Sequence, residues 1–537
     1  ALRLFGQLNS ADMPVHVREA ALRGTLLASR PGNPPLLIKQ LHSPDLPVFR
    51  VALWVFQRDF PGADVTRTVA AELPRLPAQR RPLLVEALGG RGDPAGLPAL
   101  IAALAKGEKD VRLAAVRSLS QIGGDPVVPP LVEALIDPEA AVAGAARASL
   151  LRLRSPAVDP ALIAKIGDPK AKLRVAAMGL IAQRQVKAAL PTLLKILREP
   201  EPPVVRVAAL NALRSLAGIS EITPLVQALA NAKEPAELKA AESALVTVCG
   251  RCGPKAAEPV LKALAGAPEG SEAPLLRALA RGGGQQALDA VIQRLEDPRA
   301  PIRQEALKLL TVWRERTAVP PLLAVAEKPR DDREGILAIR ALVRLAGPRK
   351  DKWGTDIKLL TKAMSLSKRP DEKRLALGVL GSMATREALI LATRALDDPA
   401  LRKEAATATV TIAEKLPRPG DGDIRVAIEK VLASTQDAKL RTRAEKVLAK
   451  HRASLAATAK KLAGKLPTKA PATPAKPRRL LIFDVNVGYG GHPSRFAAND
   501  AFTLMGTATG AYETVLSRDP QVFRPESLKQ FDAVFLN

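Results

Sequence analysis

The sequence predicts a mainly α-helical solenoid of stacked helical hairpins over residues 1–453, and three observations predict it. The first is composition: 47% of the residues are hydrophobic but only 3% are aromatic. The apolar residues are mostly Ala, Leu and Val, which suits closely packed helices. The second is length, because 537 residues exceed one ordinary core of about 100 to 200 residues and call for several units or an array. The third is repetition: a unit of about 31 residues recurs along most of the chain.

A clear copy runs from Gly96 to Gly124. Leu97, Leu100, Ile101 and Leu104 fall at i, i+3, i+4 and i+7, a single apolar stripe on a first helix. A short polar turn from Lys106 to Asp110 ends it. Val111, Ala114, Ala115, Leu119 and Ile122 then line one face of a second helix, which Gly123 and Gly124 close. The plan returns at residues 129–153, with its turn at Asp137-Pro138, and at 161–182, with Asp168-Pro169. Further turns at Pro44-Asp45, Glu199-Pro200, Asp297-Pro298 and Asp398-Pro399 keep the register. Proline is tolerated just inside a helix start because that amide has no intrahelical partner, and the acidic neighbour can cap free amides. The pattern weakens at residues 250–284, where Gly282, Gly283 and Gly284 interrupt it, and at 349–361, so irregular repeats or kinks are expected there.

A basic residue recurs about five positions after each turn: Arg112, Arg174, Arg206, Arg303 and Arg402. This spacing resembles HEAT repeats, specifically the short bacterial HEAT-like class first associated with phycobilin lyases. The resemblance implies that turn acids and helix arginines form a ladder between neighbouring repeats, here Asp137, Asp168, Asp297 and Asp398 with the five arginines. It also implies about 13–14 hairpins. One hairpin cannot bury its stripe alone, so neighbours stack into a continuous core with a concave inner face suited to an extended partner. A protein partner on that face is the leading expectation. Ala114, Ala115, Ala208, Ala209, Ala240 and Ala241 would let the second helices approach closely.

The net charge of +27 is uneven. Residues 1–448 hold 68 Lys and Arg against 48 Asp and Glu, residues 449–479 hold nine against none, and residues 480–537 hold four against six. A basic stretch can bind a polyanion through counterion release, or serve as a solvated tether. A nucleic-acid-binding array is therefore the alternative function. The basic linker carries no aromatic residue for base stacking.

Residues 454–478, rich in Lys, Ala and Pro, read as an extended linker. Six of ten Phe and both Tyr lie beyond residue 480, which marks a second kind of structure. The run from Arg478 to Val485 reads as a buried parallel strand, residues 495–505 as a helix, and 512–517 and 531–536 as further strands. This is the opening of a truncated α/β doubly wound, flavodoxin-like segment over residues 479–537. Ligands in such folds sit beyond the carboxyl ends of the strands.

The Leu480–Val485 strand, the loop from Gly488 to Ser494 and the stretch from Glu526 to Asn537 resemble the start of the ThuA-like family, associated with trehalose utilisation and related in fold to class I glutamine amidotransferases. The resemblance implies that Gly488, Tyr489, His492 and Ser494 face a small sugar-like ligand. The alternative is that His492 and Pro493 only cap the following helix. A further alternative is an enzyme whose active site lies in the missing part of this α/β domain, and its catalytic residues are unknown.

Elsewhere the sequence offers little chemistry. Cys249 and Cys252 form the one CxxC pair, without a second pair or a nearby His, and read as structural. His16, His42 and His451 are isolated and read as surface residues; Trp54, Trp313 and Trp353 read as core. No metal site and no cofactor are expected. No apolar run is long enough to span a bilayer as a helix. The chain starts at Ala1 in mid-pattern and stops at Asn537 within a strand, so it reads as a fragment and its compartment stays open.

Overall fold

The computed structural model describes residues 2–10, 12–28, 34–268, 270–348, 356–416, 422–462, 464–485 and 494–537. Among them, twenty-eight α-helices precede the first strand and pair in chain order into fourteen hairpins, many of whose first helices end or begin in a short 3-10 turn. The chain divides into two compact units, Ala1–Ala290 and Val291–Asn537.

In the first unit, the copy anticipated at Gly96–Gly124 is a first helix Leu97–Lys106 and a second helix Lys109–Ile122. Leu100, Leu104, Val111, Ala114, Ala115 and Leu119 are buried. Next come the second helices Ala140–Arg152, Ala171–Arg184, Pro203–Leu216, Pro235–Cys252 and Glu272–Gly282. Apart from Ala140–Arg152 on Ala171–Arg184, the second helices pack on one another more closely than the first helices do, and form the tighter layer. Small residues make this possible. Ala115, Ala209 and Ala241 are fully buried, and a Cβ on Gly89 would lie 2.4 Å from the Ser118 side chain, whose hydroxyl donates to the Val85 carbonyl at 2.9 Å.

The interruption expected at residues 282–284 is instead an ordinary helix stop. Gly283 and Gly284 have φ of +72° and +88°, as Gly123 and Gly124 have +72° and +81°, a conformation that glycine adopts without strain. Residues 349–355 lie outside the described residues.

In the second unit, hairpins Val319–Glu327 with Asp332–Ala346, Ile357–Leu366 with Pro370–Leu380, Arg386–Arg394 with Arg402–Lys415, and Gly422–Ser434 with Ala438–Leu462 follow the helix Ala300–Thr311. The last helix runs to Leu462, so residues 454–462 are helical where the composition suggested an extended chain. The stretch is rich in Ala and Lys, both good helix formers, and its first proline comes at Pro467.

Three short strands close the chain: β1 (Arg479–Phe483), β2 (Glu513–Ser517) and β3 (Ala533–Leu536). They form one parallel sheet in the order β2-β1-β3, with Leu481 opposite both Val515 and Val534. The helix Ser494–Thr509 links β1 to β2 and packs on the helix Ala438–Leu462. The structure supports a small parallel sheet behind a HEAT-type array; the larger flavodoxin-like architecture reaches only this far.

Candidate binding face and its supporting network

Three of the arginines singled out by spacing reach a carboxylate of the following repeat. Arg112 forms a fork to Asp137, 25 residues on, at 2.8 and 2.9 Å. Arg174 does the same to Glu201 at 2.7 and 2.6 Å, and Arg206 meets Glu237 at 2.7 Å. Burial pushes the Asp137 carboxyl up, but the Arg112 hydrogen bond and the Glu139 amide outweigh it and hold the group below its ordinary value. The Arg174 hydrogen bond lowers Glu201 likewise. The forks of Arg112 and Arg174 are bidentate, the arrangement in which Arg is strongest, whereas Arg206 meets one oxygen of Glu237.

The other named residues are used locally. Asp168 pairs with Lys165 at 3.1 Å. Asp297 accepts from Arg299, which holds it down at about 2. Asp398 accepts from the Ala400 amide at 2.9 Å. Arg303 donates to the carbonyls of Asp297 and Pro298, both at 2.7 Å, and Arg402 to the Leu396 carbonyl at 3.3 Å. One feature unites the turn aspartates. Asp137, Asp168, Asp297 and Asp398 each accept from the amide two residues ahead, at 2.8 to 2.9 Å. They close the turn first, and Asp137 alone of the four also receives a fork from the preceding repeat's arginine.

A second set of contacts escaped sequence reading. Near the ends of several second helices, a basic residue donates to carbonyls at the end of the preceding repeat's second helix. Arg91 reaches Phe56 and Gly62, Arg184 reaches Leu150 at 2.7 Å, and Arg251 reaches Arg214 and Ser215. In the second unit, Arg344 reaches Thr311 and Trp313, and Lys415 reaches Gly381 at 2.9 Å. Cations there meet both unpaired carbonyls and the negative end of the helix dipole. The available signal was a basic residue in the last helical turn 29 to 37 residues after its partner.

Of the remaining candidates, Cys249 is fully buried and its thiol is pushed up to about 12 by burial, which leaves it unreactive. His16 is exposed, and His42 bonds Glu72 at 2.8 Å. His451 is not a surface residue: it is 1% exposed, because the last helix continues beyond it and is covered. Neither ring nitrogen has a hydrogen-bond partner, and burial holds its pKa below the ordinary value. Trp313 is buried, whereas half-buried Trp54 lies under the guanidinium of Arg23 at 4.1 Å. Trp353, Gly488, Tyr489 and His492 lie outside the described residues, and Ser494 opens the helix that follows β1. Among the described residues, no group of three or more His, Cys, Asp or Glu could hold a metal ion, and no helix is long and apolar enough to cross a membrane.

Polar side chains gather at the carboxyl ends of the strands. Asp484, after β1, accepts from Asn499 at 2.8 Å and is fully buried. Arg518, after β2, donates to the Asp484 side chain, to its carbonyl at 2.6 Å, and to Asp423 at 2.7 Å. Asn537, after β3, donates to Asn499 at 2.7 Å. Asp423 belongs to the last hairpin, and Asp519 also pairs with Arg394 of the hairpin before it, so the sheet is tied to the repeats by charge.

Against known proteins, residues 77–151 and 160–246 match the sequence model described as HEAT repeats. No curated protein matches the chain. Among solved structures, the chain is similar to Kap121p bound to RanGTP, with 16% identity, a TM-score of 0.42, and 83% of this chain against 56% of that one. It is also similar to Kap121p bound to Ste12p, with 15% identity, a TM-score of 0.45, and coverage of 86% and 57%. For Kap95p with RanGDP the figures are 12%, 0.42, 86% and 69%. The chain thus spans little more than half the length of Kap121p. These matches do not show a ThuA-like domain.

Proposed function

We propose that this chain is a binding scaffold whose tighter layer, the row of second helices, takes a polypeptide partner. The observation that carries the reading is the close stacking of most of those helices within the first unit, with the repeat-to-repeat contacts placed at their edges. Arginines such as Arg112 and Arg174 are spent on neighbours, so they hold the surface and do not bind with it. A layer of this kind presents one long, preformed face, and association with it costs little ordering of the scaffold. The test is selection of short random peptides displayed against the immobilised chain. Enriched peptides that compete with one another support the reading, and a library that yields no enrichment sinks it.

The division into repeats, linker and a sheet segment over 479–537 is part of the same proposal, with the linker starting after the helix that ends at Leu462. The sheet segment reads as the opening of a doubly wound domain. Its order β2-β1-β3 reverses direction at β1, and the polar cluster of Asp484, Arg518, Asn499 and Asn537 collects where such folds bind ligands. A sugar-like ligand follows from the family resemblance alone. A raised melting temperature with simple sugars or disaccharides, lost in Asp484→Asn, is the outcome that reading requires.

A further inference from the structure

The second helices of the first unit carry an apolar row that the core does not use. Leu113, Leu151, Val175, Val207 and Val246 come from five successive second helices and are half-buried, whereas their helical neighbours Leu119, Leu150, Ala176, Leu210 and Leu245 are buried. Stacking satisfies the inner stripe of each helix. The outer row keeps part of its aliphatic surface in water, repeat after repeat.

Cations border this row. Arg117, Arg147, Arg214 and Lys239 lie on the same helices and, among the described residues, none forms an ion pair. Arg147 reaches sideways over the next repeat: a Cβ on Gly179 would lie 3.6 Å from its Nη1. Arg214 donates only to the Ser243 hydroxyl, at 3.4 Å. Of the three acids on these helices, Glu237 is paired with Arg206 and Glu242 with Arg277, and the exposed Asp110 stands at the start of the first helix. The row is therefore aliphatic in the middle, positive at its borders and short of free negative charge.

We infer that this face binds a polypeptide segment that alternates aliphatic with acidic side chains. The inference rests on the scaffold reading and names its partner's chemistry. Aliphatic side chains of the partner would cover Leu151, Val175 and Val207, and carboxylates would meet Arg117, Arg147 and Arg214, where the planar guanidinium can hold both oxygens. A nucleic acid fits less well. Its phosphates would engage the cations but leave the aliphatic row uncovered, and the helices from Lys109–Ile122 to Pro235–Cys252 contain no aromatic residue on which bases could stack.

The experiment is fluorescence anisotropy with the full chain and four probes: a Leu/Glu amphipathic peptide, its Leu/Lys counterpart, an oligoglutamate and a short DNA duplex. The Leu/Glu peptide is expected to bind, to outcompete oligoglutamate, and to weaken by about tenfold or more in the variant Arg117→Glu/Arg147→Glu/Arg214→Glu. Val175→Ser/Val207→Ser should weaken it while leaving any duplex binding unchanged. Far-UV circular dichroism controls for folding, and single Arg117→Ser and Arg147→Ser variants replace the triple if it unfolds. Equal binding of the Leu/Lys peptide, or indifference to every substitution, overturns the inference while the peptide selection above still decides the scaffold reading. Tight duplex binding with a steep salt dependence, in the absence of peptide binding, overturns both.

Discussion

Two stretches of repeats solve the same stacking problem with different contacts. Between residues 97 and 252, helix arginines fork to carboxylates of the next repeat, as Arg112 does to Asp137 and Arg174 to Glu201. Beyond residue 291, the equivalent Arg303 and Arg402 bond to carbonyls of their own turns, and the pairs between repeats are made by other arginines, Arg340 with Glu372 at 2.9 Å, Arg374 with Glu404 at 3.6 Å and Arg443 with Glu414 at 2.7 Å. The HEAT sequence model matches residues 77–151 and 160–246, which lie before the second stretch. What both stretches share is the apolar stripe and the cation at the end of the second helix. The forks are therefore one refinement of the repeat, and burial with carbonyl capping is its common basis.

The largest effect should come from the shared basis. Leu119→Ala removes a fully buried side chain and should cost about 3 kcal/mol, read by urea unfolding as loss of the transition of the first unit. The forks come next. Arg112→Ala leaves Asp137 only 8% exposed and without its cation, at a cost of about 1–3 kcal/mol, whereas Arg402→Ala removes one bond to a carbonyl and should cost less than about 1 kcal/mol. Hydrogen exchange at residues 137–152 and 396–415 compares the two directly; equal losses would dissolve the distinction.

Two smaller effects depend on pH and bear on the second unit. His451 has a lowered pKa in the fold, so its contribution is present above the ordinary histidine value of about 6.5 and is lost as pH falls below it through the lowered folded pKa. His451→Leu should therefore flatten the acid side of the stability profile. Asp500 has the opposite sign. Burial raises its carboxyl to about 6, so folding is favoured as pH falls through 6 toward the ordinary carboxylate value, and Asp500→Asn should abolish that gain. Thermal melts between pH 4 and 8 separate the two. In the forks, the lowered Asp137 and Glu201 keep their contribution above the ordinary carboxylate range and lose it only as pH falls further.

Repetition made most of the array legible. The stripe Leu97, Leu100, Ile101 and Leu104 and the Asp-Pro turns follow from helix period and proline chemistry, and they place the hairpins within a few residues. The rung partners were less legible, because Glu201 and Glu237 lie outside the Asp-Pro dipeptide that the eye follows, and a fork depends on reach rather than on spacing. The carbonyl caps were hidden for a related reason: a terminal Arg looks the same in sequence whether it meets solvent or the neighbouring helix. His451 was misplaced because a helix rich in Ala and Lys was read as ending too early. The polar cluster at Asp484, Arg518, Asn499 and Asn537 joins residues far apart in the chain, which no local pattern reveals.

The central claim is that the second-helix layer of the first unit is the binding face. Hydrogen exchange of the full chain, with and without a peptide enriched by selection, tests it most directly. The account predicts protection of the second helices from Lys109–Ile122 to Pro203–Leu216, with the first helices Leu97–Lys106 and Leu190–Arg198 unchanged. Protection of those first helices, with the second helices unchanged, would contradict it.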